Sequence, residues 1–295
     1  MSPLDRVNGR LACVACGARA VLETDRVGCP SCGAAFERIA GIPIMVAPEE
    51  WEHVKGLGRT KEISPGDFRS RLKRMCTPPT PSEYVGGYAG ASRALEGCPQ
   101  GALVLDVGSG TRRLRADVVN LDIDAFDNVD LVANATRIPF LDETFDLVIS
   151  EAVLEHVPDP RGVVSEMIRV LQPGGQLYVD VPFLQGFHAD PHDYQRYTLP
   201  GLDVLLEGFE PLAKGVSVGP SSALAWMLRE YLPLWAPKTL RTPAAIASGW
   251  LTTPIKYLDR IVGHRPGAER IAAGLYFWGR KRSDAGMAVA GGAAR

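Results

Sequence analysis

The sequence lacks the features that place a protein in a membrane or on nucleic acid. None of its apolar runs reaches the length of about 18 residues that a spanning helix needs. The first residues, MSPLDRVNGR, lack the apolar core of a signal peptide. The formal net charge is only −2, which argues against bulk electrostatic attraction to nucleic acid. We therefore predict a cytoplasmic protein and expect no nucleic-acid partner.

The sequence has six cysteines, but they do not form the pattern of a disulfide framework. Two of them, Cys76 and Cys98, stand alone and are interpreted as plain thiols. The other four form two CxxC pairs in Gly/Pro-rich turns, a spacing typical of a closed structural zinc site. A redox pair is less favoured because no βαβ pattern surrounds either CxxC, and a metal-free ribbon is the remaining alternative. The predicted zinc ligands are Cys13, Cys16, Cys29 and Cys32.

An apolar strand followed by a glycine turn, LVLDVGSG at residues 103–110, begins the main domain. Asp106, Gly108 and Gly110 give a turn whose backbone can approach a nucleotide-type cofactor. The third glycine of the dinucleotide fingerprint is missing, because Thr111 and two arginines follow. This gap argues against a nicotinamide enzyme.

Strand and helix patterns then alternate. ADVVNLDID predicts a second strand that ends in Asp122, which is placed to accept ribose hydroxyls, with Asp124 as the alternative. The intervening TRRLRA is too short for a full helix. VDLVAN, FDLVIS and LYVDVPF predict three more strands, and DPRGVVSEMIRVLQ has helical apolar spacing that extends to Leu171. This alternation predicts a parallel α/β sheet with ligands at the carboxyl ends of its strands.

The ordered motifs LDVGSG, LDID, NATRIPF, FDLVISEAVLEHV and RVLQPGGQLYVDVPF resemble class I S-adenosylmethionine-dependent methyltransferases of the ubiquinone-biosynthesis subgroup. The resemblance covers roughly residues 80–210. It implies a doubly wound, Rossmann-like sheet of seven strands and S-adenosylmethionine as the cofactor. The N-terminal segment resembles small zinc ribbons of the Trm112 type, which often precede a methyltransferase domain.

The resulting domain prediction has four parts. They are a zinc ribbon (1–48), a linker with lead-in helices (49–100), a methyltransferase domain (101–281) and a disordered tail (282–295).

The resemblance also assigns cofactor contacts. They fall in the glycine loop, around the ribose acid, beside adenine and in the loop after the fourth strand. The family usually has aspartate where Asn134 stands, but the asparagine carbonyl oxygen can still accept a hydrogen bond. The predicted cofactor-binding residues are Asp106, Gly108, Ser109, Gly110, Asp122, Ile123, Asn134, Ala135, Ser150, Glu151 and Leu154.

In methyl transfer the protein mainly binds and aligns the cofactor and the acceptor. An oxygen nucleophile also benefits from a base that removes its proton. Histidine suits that role near neutral pH. His188, after the fifth strand, is the preferred base, and His156 and His192 are further catalytic candidates; each also has a structural alternative. A metal site formed by His188, Asp190 and His192 is a less favoured alternative.

The last two strands, EPLAKGVSVG and GLYFWGRK, are expected to form an antiparallel edge, with residues 221–270 as a helical insertion between them. The insertion holds three tryptophans and an excess of basic residues. A lid packed on the domain or a dimer contact is the favoured interpretation. Contact with the inner face of a membrane is the alternative, and it would fit a lipid-linked acceptor.

The HDYQRYT segment resembles methyltransferases found alongside glycan and lipopolysaccharide biosynthesis. We therefore predict O-methylation of a sugar, glycan or other small biosynthetic intermediate. Two rival hypotheses stay open: a methyltransferase for RNA or protein with the ribbon as docking module, and a non-catalytic interaction protein. Charges in the ribbon nearly balance, which makes RNA less attractive, and the intact glycine loop and ribose acid argue against a non-catalytic role. The oligomeric state is left open.

Overall fold

The computed structural model describes residues 2–47, 77–82, 84–85, 89–189 and 192–283. Cys76, Asp190 and most of the predicted linker and tail lie outside these residues. Within them there is a small antiparallel sheet near the N-terminus and a seven-stranded sheet. The small sheet comprises β1 (Val21–Leu22), β2 (Arg26–Gly28), β3 (Ala35–Ile39) and β4 (Ile42–Pro43). The large sheet comprises β5 (Val104–Val107), β6 (Val119–Asp122), β7 (Leu131–Val132), β8 (Phe145–Glu151), β9 (Leu171–Pro182), β10 (Phe209–Val218) and β11 (Gly274–Lys281).

The large sheet has the strand order β10-β11-β9-β8-β5-β6-β7. The five strands from β9 to β7 are parallel, whereas β11 pairs antiparallel with both β9 and β10. Every residue of β5 and β6 is buried, as expected for strands covered on both faces. The predicted seven-stranded, doubly wound sheet with an antiparallel edge is thereby confirmed.

Helices cover both faces of this sheet. The helix α2 (Pro160–Val170) begins after Asp159, whose carboxylate accepts a 3.0 Å hydrogen bond from the Gly162 amide and caps the helix. Its buried side includes Val163 and Met167, but Leu171, which helical spacing assigned to this helix, begins β9 instead. In the described residues the helices are α1 (Ala89–Glu96), α2 (Pro160–Val170), α3 (Leu199–Leu205), α4 (Pro220–Tyr231), α5 (Arg241–Thr252) and α6 (Asp259–Val262). None of them combines the length and hydrophobicity needed to cross a bilayer.

The crossover from β5 to β6 contains no helix, as the short TRRLRA segment predicted. Hydrogen bonds from one arginine hold it instead. The Arg113 guanidinium donates to the backbone oxygens of Val118 (2.8 Å) and Asn128 (2.5 Å) and pairs with Asp130 at 3.0 Å. A planar guanidinium with several donors can thus replace the packing that a crossover helix would supply.

We expect Arg113→Met to lower the free energy of unfolding by about 1.5–3 kcal/mol, because it removes charge-assisted hydrogen bonds and leaves Asp130 unpaired. Chemical denaturation measures this loss. Arg115→Met is the matched control: Arg115 pairs with Asp117, both side chains are 40% exposed, and such surface pairs contribute about 0–1 kcal/mol. Equal effects of the two substitutions would contradict the assigned role of Arg113.

The N-terminal sheet is fixed to the outer edge of the large sheet. Leu11 forms a β-bridge with Phe140. Ile44 pairs in parallel with Val132 of β7, the strand at the edge of the large sheet. The Met45 amide also donates to the Val132 oxygen at 2.8 Å. Buried side chains from both sheets form one hydrophobic cluster. The N-terminal segment therefore covers the edge of β7 that would otherwise be open.

Candidate active site and cysteine cluster

Three carboxylates lie at the carboxyl ends of neighbouring parallel strands. Asp106 is on β5, Glu151 ends β8, and Asp180 is on β9, directly beside Glu151 in the strand register. Arg112, in the glycine loop, forms an ion pair with Glu151 and places its Nη2 3.8 Å from Asp106 Oδ2. The structure therefore brings together one arginine and three acids at the edge where ligands of such sheets bind.

The three acids of this group outnumber its one arginine. Asp106 is fully buried, and neither carboxylate oxygen has a hydrogen-bond partner among the described residues. Burial, followed by the nearby Glu151 and Asp122 carboxylates, raises the pKa of Asp106 well above its ordinary value. Burying a carboxylate without partners is costly. The arrangement is complementary to a ligand that carries positive charge and hydrogen-bond donors.

The glycine loop and the end of β6 meet as predicted. Gly108 has φ +72°, and a Cβ atom there would lie 2.2 Å from a side-chain methyl of Val153, so this position requires glycine. The Gly110 amide donates a 2.7 Å hydrogen bond to Asp122 Oδ2, while the Asp124 amide donates to Oδ1 at 2.9 Å. Asp122 therefore contacts the glycine loop with its side chain.

The remaining predicted cofactor residues surround this edge. Asn134 follows β7, and its Oδ1 accepts hydrogen bonds from the Thr136 amide (2.9 Å) and hydroxyl (2.8 Å). Ser109 and Ser150 are buried, and their hydroxyls lack hydrogen-bond partners among the described residues. Ala152, directly after Glu151, adopts φ +56°, a conformation that is strained for a residue with a side chain. Three further residues complete the predicted set: Leu154 is buried, and Ile123 and Ala135 are half-buried.

The three predicted histidines come together after β8 and β9. His156 Nδ1 lies 2.5 Å from the backbone oxygen of His192, and the His156 and His188 ring centroids are 5.4 Å apart. Beside them, burial raises the pKa of Glu155 to about 6. None of the three histidines lines the large cavity described next. Their catalytic role stays a prediction.

A cavity of about 560 Å³ opens between α1, the β9–β11–β10 part of the sheet and the helical insertion. Asp180 lies in its wall, where Ser217 Oγ donates a 3.0 Å hydrogen bond to Oδ1. Burial and the neighbouring Glu151 raise the pKa of Asp180 well above its ordinary value. Other lining residues include aromatic Tyr84, Tyr178, Tyr276 and Trp278 and basic Arg93, Lys214, His264 and Arg265. Sequence reasoning missed Asp180, although a single acid in the apolar strand LYVDVPF was a signal.

The four predicted zinc ligands form one cluster in the N-terminal sheet. Their sulfur atoms all lie within 4.8 Å of one another, with Sγ–Sγ distances of 3.7 Å between Cys13 and Cys32 and 3.6 Å between Cys16 and Cys29. Four sulfurs bound tetrahedrally at about 2.3 Å from zinc would be about 3.8 Å apart. The thiol geometry therefore fits a tetrahedral metal ion.

Two equivalent turns produce this geometry. Each CxxC is followed by a glycine with positive φ, +76° at Gly17 and +75° at Gly33. The amide of each glycine donates to the carbonyl of the first cysteine of its pair, at 2.7 and 2.9 Å. Each turn thus points two sulfurs to a common centre.

Comparison with known proteins supports the resemblance noted from the motifs. Residues 97–179 match the family model described as "Methyltransferase domain". Demethylmenaquinone methyltransferases from Listeria welshimeri and Anoxybacillus flavithermus are each 43% identical over 77 and 79 residues, which is 25% of this chain and 33% of each relative. The chain thus spans about a third of the length of these relatives.

A complex between the Haloferax volcanii Trm112 methyltransferase activator and a putative methyltransferase has 17% identity and a TM-score of 0.42, covering 66% of this chain and 89% of that chain. The family match thus assigns residues 97–179 to a methyltransferase domain, in agreement with the ordered motifs and the sheet topology.

Proposed function

We propose that this protein is an S-adenosylmethionine-dependent methyltransferase that modifies a hydroxyl group on a small-molecule acceptor. The observation that carries the proposal is the group of buried carboxylates at the end of the glycine loop, above all Asp106, whose oxygens accept no hydrogen bond from the described residues. S-adenosylmethionine carries a positively charged sulfonium and an ammonium group, so its charge is complementary to this site. The cofactor supplies an activated methyl group, and the protein supplies binding and alignment.

The residues present fit this cofactor. Asp106 and the glycine loop would hold the methionine part, and Asp122 would accept hydrogen bonds from the ribose hydroxyls. Asn134, Ala135 and Ile123 would border adenine, while Ser150, Glu151 and Leu154 would line the same edge. Calorimetric titration with S-adenosylmethionine and S-adenosylhomocysteine tests this proposal: we expect micromolar binding of both, and a folded protein that binds neither would leave a non-catalytic interaction protein as the better explanation.

We expect Asp122→Ala to weaken binding of S-adenosylhomocysteine by about 10- to 100-fold, because a hydrogen bond to a charged group is worth about 1.5–3 kcal/mol. Isothermal titration calorimetry measures the change. Asp124→Ala is the matched control and should bind nearly as well as the unaltered protein, since the hydrogen bond from Asp124 to Asp122 comes from the backbone amide, which alanine keeps. An unchanged affinity of Asp122→Ala would remove the ribose assignment.

The acceptor would occupy the 560 Å³ cavity, which reaches Glu151 and Asp180 at the carboxyl ends of β8 and β9. We propose Asp180 as the base that takes the proton from the acceptor hydroxyl as the oxygen–methyl bond forms. A carboxylate with a raised pKa suits this task near neutral pH. The basic residues of the cavity favour an acceptor that also carries negative charge.

Two acceptor classes agree with this cavity. One is a sugar, glycan or lipid-linked sugar intermediate, the class predicted from the sequence. The other is a hydroquinone, which carries ring hydroxyls and is the reduced form of a ring like the one in the name of the demethylmenaquinone methyltransferases. Turnover assays with a nucleotide sugar, a glycolipid and a demethylated hydroquinone, each followed by detection of the methylated product, distinguish the two classes.

We further propose that the cysteine cluster holds one structural zinc ion and that residues 1–48 form a ribbon, 49–100 a linker and 101–281 the methyltransferase domain. A site with four cysteine ligands is closed, so the metal would stabilise the fold without taking part in methyl transfer. The shared hydrophobic cluster supports a ribbon that remains docked on the domain. We retain the cytoplasm as the proposed location.

A further inference from the structure

The helical insertion between β10 and β11 carries an unusual distribution of apolar side chains. Along α4 the small residues Ser221, Ser222 and Ala225 are buried. The large residues Leu224, Met227 and Tyr231 are 52%, 41% and 53% exposed. Their spacing of three and four residues places them on one face of the helix. A helix that serves only as a lid would bury the large apolar residues and expose the small polar ones.

Further large apolar side chains of the insertion are exposed beyond α4. They include Leu234, Trp235, Trp250, Leu251, Leu258 and Ile261, each at least 49% exposed. Most of the exposed large apolar side chains in the described residues lie between 224 and 271. We call this set of side chains the apolar surface of the insertion. Such concentrated exposure marks an interaction site rather than the scattered apolar residues of an ordinary surface.

The insertion is firmly anchored, so this exposure is part of the fold. The fully buried Asp259 carboxylate accepts hydrogen bonds from the Ser221 and Ser222 amides at 2.7 and 2.8 Å, which holds the first turn of α4. The ammonium group of Lys256 donates to the Thr80 oxygen at 2.9 Å and is withdrawn from the surface. The insertion is therefore held together by its own hydrogen bonds and joined to the segment at Thr80, while its apolar surface stays exposed.

Charge determines which occupant fits this surface. Five basic residues of the insertion are exposed against two exposed acids, Glu230 and Glu269, in a chain whose overall charge is −2. Two copies of this surface brought face to face would place basic residues near one another, whereas an anionic lipid surface would attract them. The exposed basic residues are Lys238, Arg241, Arg260, Arg265 and Arg270.

We propose that the apolar surface of the insertion docks on an anionic lipid bilayer. Trp235 and Trp250 would lie at the level of the headgroups, and the neighbouring basic residues would contact lipid phosphates. Gly263, His264 and Arg265 belong to the same insertion and also line the acceptor cavity. The inference extends the proposed function to an acceptor whose polar group enters the cavity while its apolar part stays in the membrane.

The test is co-sedimentation of the full chain with vesicles. We expect binding to vesicles of phosphatidylcholine with phosphatidylglycerol, weaker binding to phosphatidylcholine alone, and a decrease as salt is added. The double variants Trp235→Ser/Leu251→Ser and Lys238→Glu/Arg241→Glu should each lower partitioning by at least about tenfold. Controls outside the insertion are Val204→Ser, which is 57% exposed in the unaltered protein, and Arg161→Glu; both should bind like the unaltered chain.

Calorimetry with S-adenosylhomocysteine is run on every variant and separates this proposal from the proposed function. Unchanged cofactor binding with lost vesicle binding supports docking. Absence of vesicle binding in the unaltered chain overturns it even if the methyltransferase proposal holds. Sedimentation equilibrium tests the alternative occupant, a second copy of this chain. If the unaltered chain binds no vesicles but forms a dimer that Trp235→Ser/Leu251→Ser disrupts, the apolar surface of the insertion is a dimer contact.

Discussion

Removal of metal from the cysteine cluster is expected to lower the midpoint of thermal unfolding by more than about 10 °C. The strands of the N-terminal sheet are only two to five residues long, and such short strands are not stable alone. A structural zinc ion contributes roughly 10–16 kcal/mol in small zinc domains, and a change of 1 kcal/mol shifts the midpoint by about 2–4 °C in domains of this size. Because the N-terminal sheet shares its hydrophobic core with the methyltransferase domain, the loss of stability should affect both.

Three measurements on the purified protein check this expectation. Elemental analysis should find close to one zinc per chain, calorimetry should show the lower midpoint after chelation, and Cys29→Ser should reproduce the loss. Cys98→Ser is the matched control, because this half-buried thiol donates only to the Ala94 carbonyl at 3.4 Å and lies outside the cluster. A metal-free protein that unfolds at the same temperature as the untreated one would contradict the zinc assignment.

We expect metal removal to expose buried apolar residues as well as to lower the midpoint of unfolding. Phe140 is fully buried and pairs with Leu11 of the N-terminal segment. When the ribbon opens, the apolar surface around Phe140 and the edge of β7 become accessible. Since open strand edges and apolar patches promote association, we expect the chelated protein to aggregate on heating.

The fold of the main domain was predictable because its signals are local. Apolar runs gave the buried strands, and the short TRRLRA segment correctly indicated a crossover without a helix. The position of Leu171 was not predictable in this way, because its apolar side chain suits both the end of α2 and the start of β9. The docking of the ribbon on the large sheet could not be predicted from the sequence either, since the contacts of Leu11 and Ile44 join segments about 90 to 130 residues apart.

The candidate site was predictable only in part. Motif order placed Asp106, Gly108 and Asp122 at one edge, and the structure brings them together there. The ion pair of Arg112 with Glu151 was not foreseen, because the motif assigns no role to the residue at position 112 and its partner comes from another strand. Asp180 was missed for a related reason: one acid in an apolar strand shows a functional role only when β10, which lies beyond β11 in the sheet, supplies Ser217 and part of a cavity wall.

Replacement of Asp180 by asparagine is expected to lower kcat by about 100- to 10,000-fold, the range typical for loss of a positioned base. Binding of S-adenosylhomocysteine should change little, because the substitution preserves shape. The pH profile gives a second readout. Burial raises the pKa of Asp180, and a base must be deprotonated to act, so kcat of the unaltered enzyme should rise with pH through that pKa. Asp180→Asn should lose this rise.

Ser217→Ala distinguishes a catalytic carboxylate from one that only supports the cavity wall. The Ser217 hydroxyl donates to Asp180 and stabilises its charged form. Its removal should raise the pKa of Asp180 further and shift the pH profile of kcat to higher pH, while the plateau at high pH stays nearly unchanged. His188→Ala provides the opposing test. If Asp180→Asn keeps full activity and His188→Ala loses it, the base is the histidine predicted from the sequence, and the acceptor lies nearer the histidine group than the 560 Å³ cavity.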